Sequence, residues 1–145
     1  MADEAISTLN TLIETLKDGK NGFETAAADM KDAKVKTIFL ECARERSKLA
    51  GELQAEVTRM GGQPEQSGSV AASAHRGWIN IKSALGGGEK AILDEAERGE
   101  DVAVKSFEKA LKENLPADLK NVVQRQYGQV KQAHDRVREL RDSWK

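Results

Sequence analysis

Residues 35–60 read VKTIFLECARERSKLAGELQAEVTRM. Within them Val35, Ile38, Phe39, Cys42, Ala43, Leu49, Ala50, Leu53, Val57 and Met60 recur at steps of three and four. Those steps place every one of these residues on one face of an α-helix. A helix of that span is roughly 39 Å long at 1.5 Å per residue. A rod with one long apolar stripe needs partner rods of similar length to cover it, so the rest of the chain is read for those partners.

Two partners lie on either side. Residues 3–28 predict a helix with Leu9, Leu16 and Phe23 in heptad steps beside Ile6, Leu12, Ile13, Ala26 and Ala27, with Asp3 or Ser7 as candidate N-caps. Its stripe runs through Gly19, a residue that costs a helix interior about 1 kcal/mol relative to alanine. A glycine on an inward face suits close packing of a neighbouring helix or a large group, or else a small cavity or joint. Asp32 is the candidate cap of the second helix, and Gly61 and Gly62 mark its end. GGQPEQSG at 61–68 reads as a loop, followed by a shorter helix over 69–85 that carries Val70, Ala74, Trp78, Ile81 and Leu85 and stops at Gly86, Gly87 and Gly88. A helix over 89–113 turns Ile92, Ala96, Ala103, Phe107 and Ala110 inward. Pro116 suits the first turn of a last helix over 117–143, where its missing N–H is not needed.

The pattern repeats at an offset of 84 residues: Leu9 falls on Leu93, Phe23 on Phe107, Ile38 on Val122 and Leu53 on Val137. The first two helices therefore predict one long hairpin and the last two another. The fold expected is all-α, a single domain over 1–145: an antiparallel four-helix bundle of two hairpins with a short additional helix in the crossover, the ferritin-like arrangement.

Composition sets the outer bounds. The chain has 145 residues, 4% aromatic, with two prolines, enough for one helical core. With 23 basic and 24 acidic residues the net charge is −1, which provides no field to draw in nucleic acid or an anionic membrane. No apolar run reaches the roughly 18 residues of a membrane span, and MADEAISTLN is not a signal peptide, so the expected location is cytoplasmic. The lone cysteine, Cys42, lies on the apolar stripe and reads as a buried hydrophobe.

Charge interrupts two stripes at their centres, at Arg46 and at Glu100. In an antiparallel bundle these meet at mid-height, with Gln126 and His134 of the last helix facing the same region. The sequence thus predicts a buried polar layer of Arg46, Glu100, Gln126 and His134 that sets helix register. The functional alternative is a di-metal centre, which in ferritin-like bundles needs a Glu from each of two helices and a Glu-x-x-His pair from each of the other two. The chain has no Glu-x-x-His: Lys131 stands before His134, Ser47 and Ala50 occupy the matching places on the second helix, and Leu16 stands opposite Glu100. A residual metal site would use Glu100 and His134, completed by Glu24, Glu41 or Glu45. No cofactor is implied, and no nucleophile is placed beside a base. His75 and Trp78 of the crossover are the candidate partner surface.

LNTLIETLKDGKNGF, AHRGWINIKSAL, AERGEDVAVKSFEKAL and QYGQVKQAHDRVREL together resemble a bacterial family of small ferritin-like four-helix-bundle proteins carried as a domain of unknown function. The resemblance implies the fold and a bacterial cytosolic setting, and it brings no activity. The expectation is a non-enzymatic bundle, stress-associated by analogy, that acts through self-association or a protein partner. Its rival is a metal-binding or redox protein with an incomplete site.

Overall fold

The computed structural model describes residues 2–65 and 88–144, which form four helices: α1 Ala2–Asp29, α2 Ala33–Arg59, α3 Glu89–Leu111 and α4 Ala117–Ser143. The short helix expected over 69–85, with His75 and Trp78, lies outside the described residues.

Local chemistry sets the helix ends. α1 begins at Ala2, so Asp3 and Ser7 are not its caps but lie within it, and Asp3 and Glu4 supply negative charge to its first turn. Asp32 caps α2, its Oδ1 accepting from the Val35 N–H at 3.0 Å. At the other end the Gly62 N–H donates to the Val57 carbonyl at 2.9 Å and the Gly61 N–H to the Thr58 carbonyl at 3.0 Å. This paired closure requires a left-handed residue, and Gly61 provides it at φ 83°. α3 stops at Leu111, two residues short of the expected end, where its last turn tightens into bonds from Lys112 to Lys109 and from Glu113 to Ala110. Pro116 sits just outside α4 at its N-cap, with extended ψ of 150°, instead of in the first turn.

α1 packs along α2 and α3 along α4, giving two antiparallel hairpins, while α1 also packs on α3 and α2 meets α4 only lightly. Ion pairs Glu52–Arg125 (3.0 Å) and Glu41–Arg136 (3.4 Å) show α2 and α4 running in opposite directions. The start of α3 is tied to the far end of α1, for Glu89 Oε2 accepts from the backbone N–H groups of Lys31 (3.2 Å) and Asp32 (3.1 Å). α2 and α3 are therefore parallel and diagonal, and the passage between them starts and finishes at opposite ends of the bundle. Near the start of that passage, Asn10 donates to the Gln63 carbonyl (3.0 Å) and accepts from the Glu65 N–H (2.9 Å).

The core is in two parts. One gathers Leu9, Leu12, Leu49, Leu53, Phe107 and Val123 towards the α3–α4 turn. The other gathers Phe23, Phe39, Cys42, Ile92, Leu93 and Val137 towards the α1–α2 turn. Fully burying a leucine or phenylalanine contributes about 1.5–3 kcal/mol, so either part is a substantial block of apolar packing. Between them lies charge.

Candidate functional site

Arg46 and Glu100 are both fully buried, and Arg46 Nη2 donates to Glu100 Oε2. The pair links the diagonal helices α2 and α3 across the bundle axis. Two features accommodate the long side chain. Gly19 of α1 presents no Cβ, and one built there would lie 2.9 Å from Arg46 Nη1 and 3.6 Å from its Cγ. Phe23, one turn along α1, places its ring 5.5 Å from the guanidinium carbon, a cation–π distance. Ring and cation then stack into the second apolar part, where Phe23 and Phe39 lie 5.5 Å apart.

The pair is incompletely bonded: Arg46 Nε and Nη1 and Glu100 Oε1 are buried without a hydrogen-bond partner among the described residues. Burial pushes the Glu100 carboxyl above its ordinary range, and the neighbouring Arg46 offsets this only in part. For Arg46 burial acts downward, yet Glu100 outweighs it and holds the guanidinium above its ordinary value.

Gln126 and His134 are buried but do not bond to this pair. Gln126 Nε2 donates to the Leu49 carbonyl at 3.1 Å and to Glu52 Oε1 at 2.9 Å, joining α4 to α2. His134, 6% exposed, turns to the α3–α4 seam. Its Nε2 lies 3.2 Å from Glu97 Oε2 and 3.6 Å from Asp101 Oδ1, and its Nδ1 is 3.0 Å from Asp135 Oδ1. The set that could hold a metal is thus Glu97, Asp101 and His134, in place of the expected Glu100 and His134. Glu100 faces Arg46, Glu41 is paired with Arg136 and Glu24 with Lys20 (3.4 Å). Glu45 flanks a separate shallow groove between α2 and α4, beside Cys42, Gln129 and Ala133.

Sequence reasoning missed Glu97 and Asp101 because both stand beside the apolar stripe of α3, where acids usually meet solvent. Their i, i+4 spacing opposite the one histidine of α4 was the available signal. Burial, followed by the nearby Glu100, pushes the Cys42 thiol up to about 12. That protonated thiol is a packing group rather than a nucleophile at neutral pH. Among the described residues no helix is long and apolar enough to cross a membrane.

A comparison with curated proteins finds no match. A family model described as a domain of unknown function matches residues 4–113, from the first turn of α1 to just beyond α3. That span covers most of the chain and includes Gly19, Arg46 and Glu100, as well as Glu97 and Asp101, while leaving α4 with His134 outside it. The chain therefore belongs to the family of that domain of unknown function, DUF2383.

Proposed function

We propose that this is a non-enzymatic, cytoplasmic bacterial bundle of ferritin-like connectivity, one domain, working through self-association or a protein partner in a stress-associated setting. The observation that carries the reading is the occupant of the bundle centre. Bundles of this connectivity hold two metal ions at mid-height, and here the same height is taken by a guanidinium bound to Glu100. An arginine keeps its proton at any physiological pH, so its charge repels a cation from the place where oxidase or storage chemistry would occur.

Association of this kind needs an anchored contact. Among the described residues Leu40 is the large hydrophobic side chain left exposed, at 41%. Stable interfaces are anchored by aromatic residues, and the crossover sequence supplies Trp78 with His75 close by. We assign the contact to that pair.

Native mass spectrometry and small-angle scattering on the full chain test the reading. A discrete oligomer that Trp78→Ala dissociates, with the melting temperature of the subunit kept, is expected. A strict monomer that turns over a small substrate would overturn it.

A further inference from the structure

His134 makes one demand that the protein around it does not meet. Asp135 can only accept at Oδ1, so the 3.0 Å contact fixes the proton on Nδ1 and leaves Nε2 as the free end of the ring. The ring is 6% exposed, and Nε2 has no hydrogen bond of acceptable geometry among the described residues. What faces it is two carboxylate oxygens, at 3.2 and 3.6 Å. A lone pair turned on two anionic oxygens is repulsive unless a positive centre lies between them.

The carboxylates are arranged for that centre. Glu97 gives its other oxygen, Oε1, to Arg141 Nη1 at 2.8 Å, and Asp101 gives Oδ2 to Lys105 Nζ at 3.1 Å. Each donor atom aimed inward thus belongs to a group whose outer atom is already held: Glu97 by Arg141, Asp101 by Lys105, His134 by Asp135. Outer partners of this kind orient metal ligands. The two distances to Nε2 also suit zinc, since a tetrahedral ion with bonds of about 2.05 Å separates its ligand atoms by roughly 3.3 Å, and all three donor atoms lie within 4.8 Å of one another. Glu97 and Asp101 share a face of α3 by their i, i+4 spacing, and His134 closes the set from α4.

We propose that Glu97 Oε2, Asp101 Oδ1 and His134 Nε2 form a mononuclear site for a divalent first-row transition cation, with water completing its coordination. One imidazole with two carboxylates suits zinc, iron or manganese above magnesium. The site lies on the α3–α4 seam and shares no residue with the Arg46–Glu100 contact, and it is independent of how the chain associates. Its role is to fasten one hairpin, because the ligands come from both of its helices.

Calorimetric titration of the tag-free full chain with zinc chloride tests this, with cobalt chloride as a spectroscopic substitute and magnesium chloride as the contrast. One equivalent of zinc is expected, with a rise in melting temperature that grows with zinc concentration and cobalt absorption showing nitrogen and oxygen ligation. His134→Ala should abolish saturable binding. Asp135→Asn, which touches only the far side of the ring, should weaken it tenfold to a hundredfold. His75→Ala should leave it unchanged. If His134→Ala does not fold, the partly exposed Glu97→Gln and Asp101→Asn replace it, each expected to weaken binding at least tenfold. The proposal is overturned by no saturable uptake of zinc or cobalt, by uptake indifferent to all of these ligand changes, or by uptake lost in His75→Ala. Nitrogen NMR showing the His134 ring protonated at both positions and unmoved by zinc would overturn it equally, since a proton would then be the positive centre.

Discussion

A methyl group on Gly19 would lie 2.9 Å from Nη1 of Arg46, closer than a carbon can approach without something moving. Arg46 cannot give way freely, because it is fully buried and held by Glu100. Gly19→Ala should therefore be destabilising by about 1–3 kcal/mol in urea unfolding, the usual cost of overpacking, against the helix-propensity gain of about 1 kcal/mol. In an Arg46→Met background the obstacle shrinks and the sign should reverse. If Gly19→Ala stabilises the parent protein, Arg46 does not depend on that gap.

Two exposed helical glycines make the control. Gly51 and Gly128 are exposed, and a Cβ at either would meet nothing within 4 Å. Gly51→Ala and Gly128→Ala should each raise stability by about 0.5–1 kcal/mol. Gly61 at φ 83° should behave oppositely, Gly61→Ala costing about 1–2 kcal/mol through the left-handed backbone at the end of α2. Thermal melts of the three variants would rank them directly.

Removing Arg46 alone leaves a buried carboxylate without its cation. Arg46→Met should cost about 3–5 kcal/mol at neutral pH, whereas Arg46→Met with Glu100→Leu should cost far less, the non-additivity expected of a buried pair. A loss in the double variant equal to the sum of the losses in Arg46→Met and Glu100→Leu would show two independent residues.

Glu100 gives the pH dependence its sign. Its folded pKa is raised above the ordinary 4.5 by burial, with Arg46 and His134 pulling it down and Glu45 pushing it up. A raised folded pKa means that the group's contribution is fully present below 4.5 and is lost as pH rises through the folded value. The stability difference between the wild-type protein and Glu100→Gln should thus fall as pH climbs from 4.5, and fall more steeply when Arg46→Met is present in both. Denaturant midpoints in EDTA across that range would show it. A difference that grows with pH would place the carboxyl below its ordinary range.

Cys42, pushed up to about 12 by burial and by Glu100, should resist a disulfide exchange reagent in native buffer. It should react at once in denaturant. Rapid labelling of the folded protein would mean that the seam between α2 and α4 opens over it.

The elements that the sequence shows clearly are those governed by local rules. Asp32, Gly61 and the apolar steps of 35–60 each act within a turn or two of chain, and the helices end within about two residues of their expected limits. Even so, α1 begins at Ala2, ahead of both Asp3 and Ser7. Arg46 and Glu100 stand out because each breaks a stripe, which fixes height and face. A stripe carries no azimuth around the bundle, so it leaves open that α2 and α3 are diagonal and that the arginine must cross the axis over Gly19. Gln126 looked like part of the same layer, yet one side-chain length decides its partner, and it reaches Glu52 and the Leu49 carbonyl instead. Glu97 and Asp101 were least visible, being ordinary acids until His134 is placed against them from another helix.

The division of the core has a consequence for how the molecule loosens. Each apolar block is closed by a different turn, one by the α1–α2 connection and the other by the α3–α4 connection. Fraying that starts at one turn exposes only its own block before it reaches Arg46, where further opening must strip that charge from Glu100. The ion pair then acts as a firebreak. Amide exchange should fall into two groups of unequal rates that meet at Gly19, Arg46 and Glu100, and a substitution that weakens one group should leave the other slow until the pair itself gives way.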